Sequence, residues 1–374
     1  MTKFRMRQAW TIARIEMRRA FLSKRAFWVY LLAILPAVIF IGHGIEMKVR
    51  QNRYQGRGIT PAEVMDSFTV GEKLEDVLKR APKPVSDDEW HYSRPIERND
   101  KDNEGNEDRE QHRESERVDA RRLMYHDGQR QVIVHFENGV LKSKRNSLLK
   151  NFEEDRTVFA GVFQYFYLRL AIFFGCLGIF MNLFRGEMLD KTLHYWFLAP
   201  VRREVLLLGK YLAGLVAATV IFTSGAILGF SAMLWPYSGA EMQAYWGGAG
   251  PEHMFWYAAA AALGCVGYGS VFLAAGLLLR NPIIPAAVLL VWESINGFLP
   301  DLLQKLSILH YLQSMCPVAA PVDSGMPALL RLLVSPAAAS SRGLAVLGLI
   351  AVTMLVLWAA SSAVKRIEIN YGTE

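Results

Sequence analysis

Long apolar blocks, interrupted by one large polar region, constrain the fold of this chain more than any other feature. Each block is about 17 residues or longer, the shortest length at which an apolar helix crosses a bilayer. The hydrophobic share of the 374 residues is 52%, above that of an ordinary soluble domain. The pattern predicts an α-helical polytopic membrane protein with six transmembrane helices, in the blocks 26–45, 162–183, 205–234, 254–279, 283–299 and 343–364.

Basic residues near the apolar blocks predict the orientation of the chain. Residues 1–25 contain many lysines and arginines, one acid, Glu16, and apolar side chains at helical spacing, at Trp10, Ala13, Met17 and Phe21. We therefore predict a cytoplasmic amphipathic helix that contacts membrane lipids; the alternative is a simple basic flank. Lys365 and Arg366 follow the last block, so the positive-inside rule places both termini, including the tail 365–374, in the cytoplasm. We expect a multi-pass protein of the bacterial cytoplasmic (inner) membrane.

The polar region 47–157 follows the first block and is predicted to lie on the outer side of the membrane. Its segment 97–122 mixes acidic and basic residues, which predicts a solvated or mobile segment. Phe68–Arg80 is predicted as a helix. Gln131–Phe136 alternates as a strand does, and Glu137-Asn138-Gly139 supplies a hairpin turn. We therefore expect a small α+β exoplasmic domain, without disulfides because the region has no cysteine.

A charged amphipathic segment joins the second and third blocks. Four of its polar residues fall at i, i+3, i+4 and i+7, namely Glu187, Asp190, Lys191 and His194. On a helix these positions share one face, and Pro200 would end that helix. We predict a helix over 186–198 that lies on the inner membrane surface, hinged at Pro200 onto the next block, which Arg202 and Arg203 precede. The residue pattern alone leaves a charged loop as an equal alternative.

One acid, Glu293, lies deep inside an apolar block. At about 1.5 Å per residue from Pro282, it falls near the middle of the membrane. An acid in hydrocarbon is costly unless it is paired or hydrated, so Glu293 is predicted to face the helix bundle, a cavity or a partner, with Asn296 on the same face. A pathway or gating role and a structural role as a polar contact between helices are both open. The proline-rich stretch that follows predicts short outer helices within 301–320.

Other residues of the blocks are predicted to make interface or packing contacts. Arg169 is expected to extend to the outer interface beside Tyr165 and Tyr167, and Lys210 to the inner headgroups. Glycines of the third block predict close helix contacts, at Gly209, Gly214, Gly225 and Gly229. Aromatic residues of the next outer loop are expected at interface depth, at Trp235, Tyr237, Tyr245 and Trp246.

Signatures of catalysis are absent from the sequence. It contains no glycine-rich phosphate loop followed by Lys-Ser or Lys-Thr, no His-Glu-x-x-His, no Gly-x-Ser-x-Gly and no paired His/Cys cluster with metal-ligand spacing. We therefore expect no catalytic residue, no metal site and no cofactor bound by this chain. The formal net charge is +7, but the basic residues lie mainly beside the apolar blocks, so a nucleic-acid partner is not expected.

The region between the second and third blocks resembles the signature of ABC-2 type permeases, the membrane subunits of type V ABC transporters. The resemblance rests on Phe184-Arg185-Gly186-Glu187, Lys191-Thr192-Leu193, Ala199-Pro200-Val201-Arg202-Arg203 and Gly209-Lys210-Tyr211-Leu212. It extends to the order of six spans, the N-terminal amphipathic helix, the short outer helices and the presence of a large insertion. The insertion itself carries no family motif, so the resemblance gives no substrate.

The resemblance implies a permease subunit in which 186–198 is a coupling helix that docks onto a separate ATPase. The implied ATPase-coupling residues are Glu187, Asp190, Lys191, Thr192, His194, Pro200, Arg202 and Arg203. Two ATPase subunits would bind ATP and Mg²⁺, and a second permease would complete a homodimer or heterodimer that exports a substrate. The alternatives are a membrane sensor or assembly factor that uses the exoplasmic domain without transport, and an intramembrane enzyme that uses Glu293.

Overall fold

The computed structural model describes residues 2–22, 26–54, 59–95, 115–128, 130–181, 183–184, 186, 198, 201–279, 283–296, 300–321 and 340–364. Its helices are α1 (Thr2–Leu22), α2 (Ala26–Tyr54), α3 (Ala62–Asp66), α4 (Leu74–Arg80), α5 (Phe152–Gly161), α6 (Ile172–Phe180), α7 (Arg203–Leu234), α8 (Ala240–Gly247), α9 (Gly250–Leu278), α10 (Ile283–Ser294), α11 (Asp301–Gln304), α12 (Ile308–Met315) and α13 (Arg342–Val364). A π-helical segment, Val162–Ala171, joins α5 to α6. The strands are β1 (Ser86–Pro95), β2 (Ser115–His126), β3 (Arg130–Glu137) and β4 (Val140–Leu148).

The chain is a polytopic helical membrane protein. Among the described residues, 5 helical stretches are long and apolar enough to cross a membrane, Phe27–Arg50, Phe152–Phe180, Arg203–Leu234, Gly250–Leu278 and Arg342–Val364. Helix α10 differs, because its 12 residues measure about 18 Å, short of the about 30 Å of hydrocarbon. Within the described residues, the predicted span 283–299 is therefore an α-helix only as far as Ser294. The count of six spans and the cytoplasmic termini stay predictions.

Contacts divide the chain into two compact units, and the smaller one is Ile45–Phe152. It contains an antiparallel sheet with the strand order β1-β2-β3-β4. One face of the sheet packs with α3 and α4 around a buried apolar cluster, which includes Met65, Phe68, Val77, Leu123, Tyr125, Val132, Val134, Phe136 and Leu141. The unit thus combines helices and a sheet, as the sequence predicts, while its exoplasmic location stays a prediction.

The helix predicted over Phe68–Arg80 is shorter in the structure. Helix α4 begins at Leu74. Phe68 lies in the apolar cluster, and Gly71 has a φ of +100°, which a right-handed helix excludes. The chain turns between α3 and α4 because this turn buries the Phe68 ring.

The charged segment predicted to be mobile or solvated, 97–122, is an ordered strand from Ser115 onward, so mobility is wrong for its last part. Its charged side chains there are mostly exposed, as a solvated segment requires. Its earlier part lies outside the described residues. Two cross-strand ion pairs join β2 to β1, between Arg121 and Asp87 at 2.6 Å and between Arg122 and Asp88 at 2.9 Å. Such pairs place opposite charges against each other across the two strands and so favour their pairing. Composition alone does not reveal them, because the partner strand is distant in sequence.

The predicted β-hairpin is confirmed. Strands β3 and β4 are joined through Asn138 and Gly139, whose φ angles are 49° and 75°. Positive φ at both central residues is the geometry of a type I′ turn, which matches the twist of the flanking strands. The turn sets Glu137 opposite Val140, and this register directs Phe136 and Leu141 into the apolar cluster.

The ion pairs of the sheet predict a loss of its stability in acid. Hydrogen bonds from Arg121 lower the pKa of Asp87, and the Tyr92 hydroxyl and Arg94 lower the pKa of Glu137. Because these folded-state pKa values lie below the unfolded value of about 4, the carboxylates stabilise the sheet above that pH and lose this effect as pH falls through the folded pKa. Hydrogen exchange of the β1 and β2 amides, corrected for intrinsic rates, should therefore accelerate below about pH 4.

An Asp87→Asn variant is the matched test of this pH dependence. The variant lacks one of the titrating groups, so its β1 and β2 amides should show a smaller acceleration in acid than those of the wild-type chain. An identical acceleration in both chains would contradict a contribution from Asp87.

Helix α7 packs against α1, α6 and α9 in the larger unit. A Cβ atom on Gly225 would lie 2.4 Å from the Ala33 carbonyl oxygen, and one on Gly214 would lie 2.7 Å from the Phe180 ring. Both distances are below van der Waals contact, so no side chain fits at these positions. Gly229 is less crowded, because its nearest neighbours would lie 3.6 Å away. The prediction of close helix contacts at the glycines is confirmed, most sharply at Gly225 and Gly214.

The second predicted span differs from its prediction in extent and in orientation. The helical stretch that is long and apolar enough to cross a membrane starts at Phe152 and includes the π-helical segment. Tyr167 is buried, and its hydroxyl donates to the Phe222 carbonyl at 2.6 Å. Arg169 Nη2 donates to the Glu293 carbonyl at 3.3 Å. Tyr167 therefore faces the helix bundle and Arg169 contacts α10, which sequence spacing does not show. The position of Arg169 at the outer interface stays a prediction.

The aromatic residues of the outer loop fall into two groups. Trp235 and Trp246 are 47% and 39% exposed, as expected for interface residues. Tyr237 and Tyr245 are buried instead. The Tyr237 hydroxyl donates to Asp155 Oδ2 at 2.6 Å, so this tyrosine joins the end of α7 to the start of α5.

Candidate functional site

The structure describes the two ends of the predicted coupling segment but not its middle. The residues outside the described ranges are Glu187, Asp190, Lys191, Thr192, His194 and Pro200. Leu183 and Phe184 precede the segment and are buried. Arg202 and Arg203 follow it at the start of α7.

Arg202 and Arg203 determine how α7 begins. The backbone of Arg202 is extended, and its carbonyl accepts hydrogen bonds from the amides of Val205 at 2.9 Å and Leu206 at 3.1 Å. Arg203 Nη1 donates to the carbonyl of Val364, the last residue of α13, at 3.4 Å. A cation is favourable at a helix C-terminus, where carbonyl groups lack helical partners. The predicted coupling residue Arg203 therefore joins the beginning of α7 to the end of α13.

Lys210 lies on α7 and is the most buried charged residue in this region. Its side chain is 0% exposed, and Nζ lies 3.2 Å from Oε1 of Glu16, which is itself 3% exposed. Nζ also donates to the Leu183 carbonyl at 2.8 Å and lies 5.4 Å from the centre of the Phe184 ring. The prediction that Lys210 reaches the inner headgroups is wrong, because an internal carboxylate and the Leu183 backbone carbonyl bind the ammonium group.

Gly209 allows α1 to approach α7 closely. A Cβ atom at this position would lie 2.8 Å from Ile12 Cβ and 2.9 Å from the Ala9 carbonyl oxygen. Helix α1 thus buries Ala9, Ile12 and Ala13, whereas Trp10 is 57% exposed. Of the predicted apolar face, Ala13 thus packs within the protein, whereas Trp10 is exposed. The predicted contact of this helix with lipids stays a prediction.

We call this cluster the Lys210 junction and define it as Ile12, Glu16, Leu183, Gly209 and Lys210. It joins α1, the residues before the predicted coupling segment, and α7. Sequence reasoning identified the single acid of the basic N-terminus and the lone lysine of the third block, but it did not pair them. They are 194 residues apart, and no local pattern relates them.

Glu293 receives three hydrogen bonds at the N-terminus of α12. Its carboxylate accepts from the Ser307 hydroxyl, from the Ile308 amide at 3.0 Å and from the Leu309 amide at 3.2 Å. Ser307 Oγ in turn accepts from the His310 amide at 3.1 Å. The first amides of a helix have no partner within the helix, so the side chain of α10 satisfies the end of α12.

The predicted companion of Glu293, Asn296, is also buried, at 8% exposure. Its Oδ1 atom has no hydrogen-bond partner among the described residues. Arg169 approaches the same region from the π-helical segment and donates to the backbone of Glu293, as described above. The structure therefore collects Glu293, Asn296 and Arg169 around the end of α10, where the sequence predicted a polar site.

A scan against models of protein families identifies the class of the chain. The model described as ABC-2 family transporter protein matches residues 10–281. The chain belongs to the ABC-2 transporter family. The match includes the predicted coupling segment and most of α1, so it contains the whole Lys210 junction. No curated protein and no solved structure matches the chain in the corresponding comparisons.

Membership of the ABC-2 family confirms the resemblance in the sequence and identifies a membrane permease component of an ABC transporter. Members of this class have an ABC ATPase as partner in general. The apolar helices agree with a multi-pass membrane protein. Among the described residues of this ABC-2 protein, no group of three or more His, Cys, Asp or Glu side chains is placed to hold a metal ion.

Proposed function

We propose that the chain is the permease subunit of an ABC transporter that couples ATP hydrolysis by a separate ATPase to export of a substrate across the bacterial cytoplasmic membrane. The Lys210 junction is the observation that carries the proposal. It fixes the residues before the coupling segment to α7, while Arg203 fixes the residues after it to α13. A push on a segment held at both ends is transmitted to the spanning helices.

The proposed assembly contains two permeases, as a homodimer or heterodimer, and two ATPase subunits that bind ATP and Mg²⁺. Both termini of the permease lie in the cytoplasm, six helices span the membrane, and the unit Ile45–Phe152 lies outside. The coupling residues are Glu187, Asp190, Lys191, Thr192, His194, Pro200, Arg202 and Arg203. Glu293 and Asn296 lie in the transport pathway or its gate, or Glu293 has the structural role of holding α12. The chain itself performs no catalysis.

Exchange of the charges at Glu187 and Lys191 tests the docking role. The Glu187→Lys, Lys191→Glu variant leaves opposite charges at positions i and i+4 of the sequence but reverses the charges offered to a partner. We expect co-purification of the ATPase in detergent to fall by about tenfold, because reversed charges repel complementary groups across an interface.

The matched control is exchange of Glu46 and Arg50, an exposed ion pair with the same spacing on α2. This control should leave ATPase binding unchanged. Undiminished binding of the ATPase by the Glu187→Lys, Lys191→Glu variant would rule out a docking role for this face.

The alternative function is a membrane sensor or assembly factor. It is favoured by one observation, the compact unit Ile45–Phe152 with its own apolar cluster. A sensor of this kind works without an ATPase. A wild-type chain that functions in its membrane without co-purifying an ATPase would therefore favour the alternative.

A further inference from the structure

The Lys210 junction lies where movement of an ATPase would enter the membrane domain. Leu183, whose carbonyl binds Lys210, lies three residues before the predicted coupling segment 186–198. Lys210 therefore contacts a residue that lies just before the segment that the proposed function assigns to the partner. The same ammonium group binds Glu16, so α1 is joined to this point as well.

The packing around Lys210 leaves little room for independent movement of α1. The backbone of α1 approaches α7 at Gly209 so closely that no Cβ atom fits. The Glu16–Lys210 ion pair lies next to this close contact, about two helical turns after the start of α7 at Arg203. If α1 separated from α7, an ammonium and a carboxylate would each lose a partner inside the protein. Joint movement of the two helices avoids this loss.

We propose that Lys210 is a positioning residue that makes α1 and Leu183, just before the coupling segment, move with α7 as one body when the ATPase changes conformation. The inference rests on the proposed function and explains the Gly209-Lys210 pair. Glycine permits the close approach of the helices, and lysine fixes it. Without Lys210, a push on the coupling segment moves that segment without moving α7.

The test uses the full-length permease purified with its partner ATPase. Two quantities are measured: the ratio of ATP hydrolysis by the complex to that by the ATPase alone, and hydrogen exchange of residues 2–22 in nucleotide-free and vanadate-trapped states. In the wild-type complex we expect the amides of α1 to be equally protected in both states. In Lys210→Met we expect the hydrolysis ratio to fall by about fivefold or more, and α1 to lose protection on trapping.

Two further variants separate the contacts of Lys210. Glu16→Gln keeps the contact to Leu183 and should loosen α1 with a smaller loss of the hydrolysis ratio. The exchange Glu16→Lys, Lys210→Glu restores the ion pair but sets a carboxylate against the Leu183 carbonyl. It should restore protection of α1 without restoring the ratio. Arg14→Met, which removes an exposed cation from α1, is the matched control and should resemble the wild type.

The outcomes distinguish failure of this inference from failure of the proposed function. If Lys210→Met keeps the wild-type hydrolysis ratio and wild-type protection of α1, the positioning role is overturned. If Lys210→Met and Glu16→Gln lower only the melting temperature, the role is structural and the inference is again overturned. A wild-type chain that binds no ATPase would instead refute the proposed function.

Discussion

A Glu293→Leu variant is expected to be less stable than the wild-type chain by about 3–5 kcal/mol. Leucine has no acceptor, so the Ser307 hydroxyl and the amides of Ile308 and Leu309 would lose the carboxylate that now accepts from them. These donors are buried, and water cannot replace the carboxylate. Helix α12 would then separate from α10, because the shared polar contact between them is lost.

The measurement is the melting temperature in detergent, together with hydrogen exchange of residues 308–315. We expect a lower melting temperature and faster exchange in α12. Glu241→Gln, a change of an exposed acid on α8, is the control and should leave both quantities unchanged. Glu293→Gln separates the two roles left open by the sequence. A stable Gln variant that supports no export indicates a pathway or gating role, whereas an unstable one indicates a structural role.

A Gly225→Ala variant is expected to lower the melting temperature by about 5 °C. Its methyl group would lie 2.4 Å from the Ala33 carbonyl oxygen of α2 and 2.4 Å from the hydroxyl of Tyr167. The backbone of α2 or the ring of Tyr167 must therefore shift. A shift of Tyr167 breaks its hydrogen bond to the Phe222 carbonyl, so one methyl group disturbs two contacts of α7.

Gly229→Ala is a closely matched control for this prediction. It is the same substitution on the same helix, about one turn further on. Its methyl group would lie 3.6 Å from Phe159 and Pro36, which is ordinary van der Waals contact. Alanine also favours a helix by about 1 kcal/mol over glycine, so Gly229→Ala should be neutral or stabilising. Equal melting temperatures for the Gly225 and Gly229 variants would contradict the close approach of α2 to α7.

Local signals in the sequence account for the parts of the fold that could be predicted. Apolar length identifies five of the six predicted blocks as helices long enough to span, all but 283–299, among the described residues. Asn138-Gly139 between alternating residues is sufficient to identify a hairpin. Both depend on residues adjacent in the chain. The burial of Glu293 was likewise predictable, because an acid within an apolar block has few favourable environments.

Long-range contacts account for the parts that could not be predicted. From the sequence, Glu16 and Lys210 are each interpreted as charges beside an apolar block, whereas in the structure they bind each other. The charges of β2 predict a mobile or solvated segment, because the sequence does not show that Asp87 and Asp88 of β1 pair with Arg121 and Arg122. For Tyr167, the pattern of its own helix does not show which neighbour it faces. In each case the interpretation changes because of a partner that is remote in sequence.

The π-helical segment Val162–Ala171 places two hydrogen-bond donors that are five residues apart on the same side of one helix. In an α-helix, residues five apart point about 140° away from each other. The i→i+5 bonding of a π-helix brings such residues towards one face. Gln164 and Arg169 are five apart, and they donate to the carbonyls of Val318 at 2.8 Å and Glu293 at 3.3 Å. The wider turn thus lets one helix form hydrogen bonds to both Glu293 and Val318. Deletion of one residue from the π-helical segment would move Gln164 and Arg169 to different faces, and one of these hydrogen bonds would be lost.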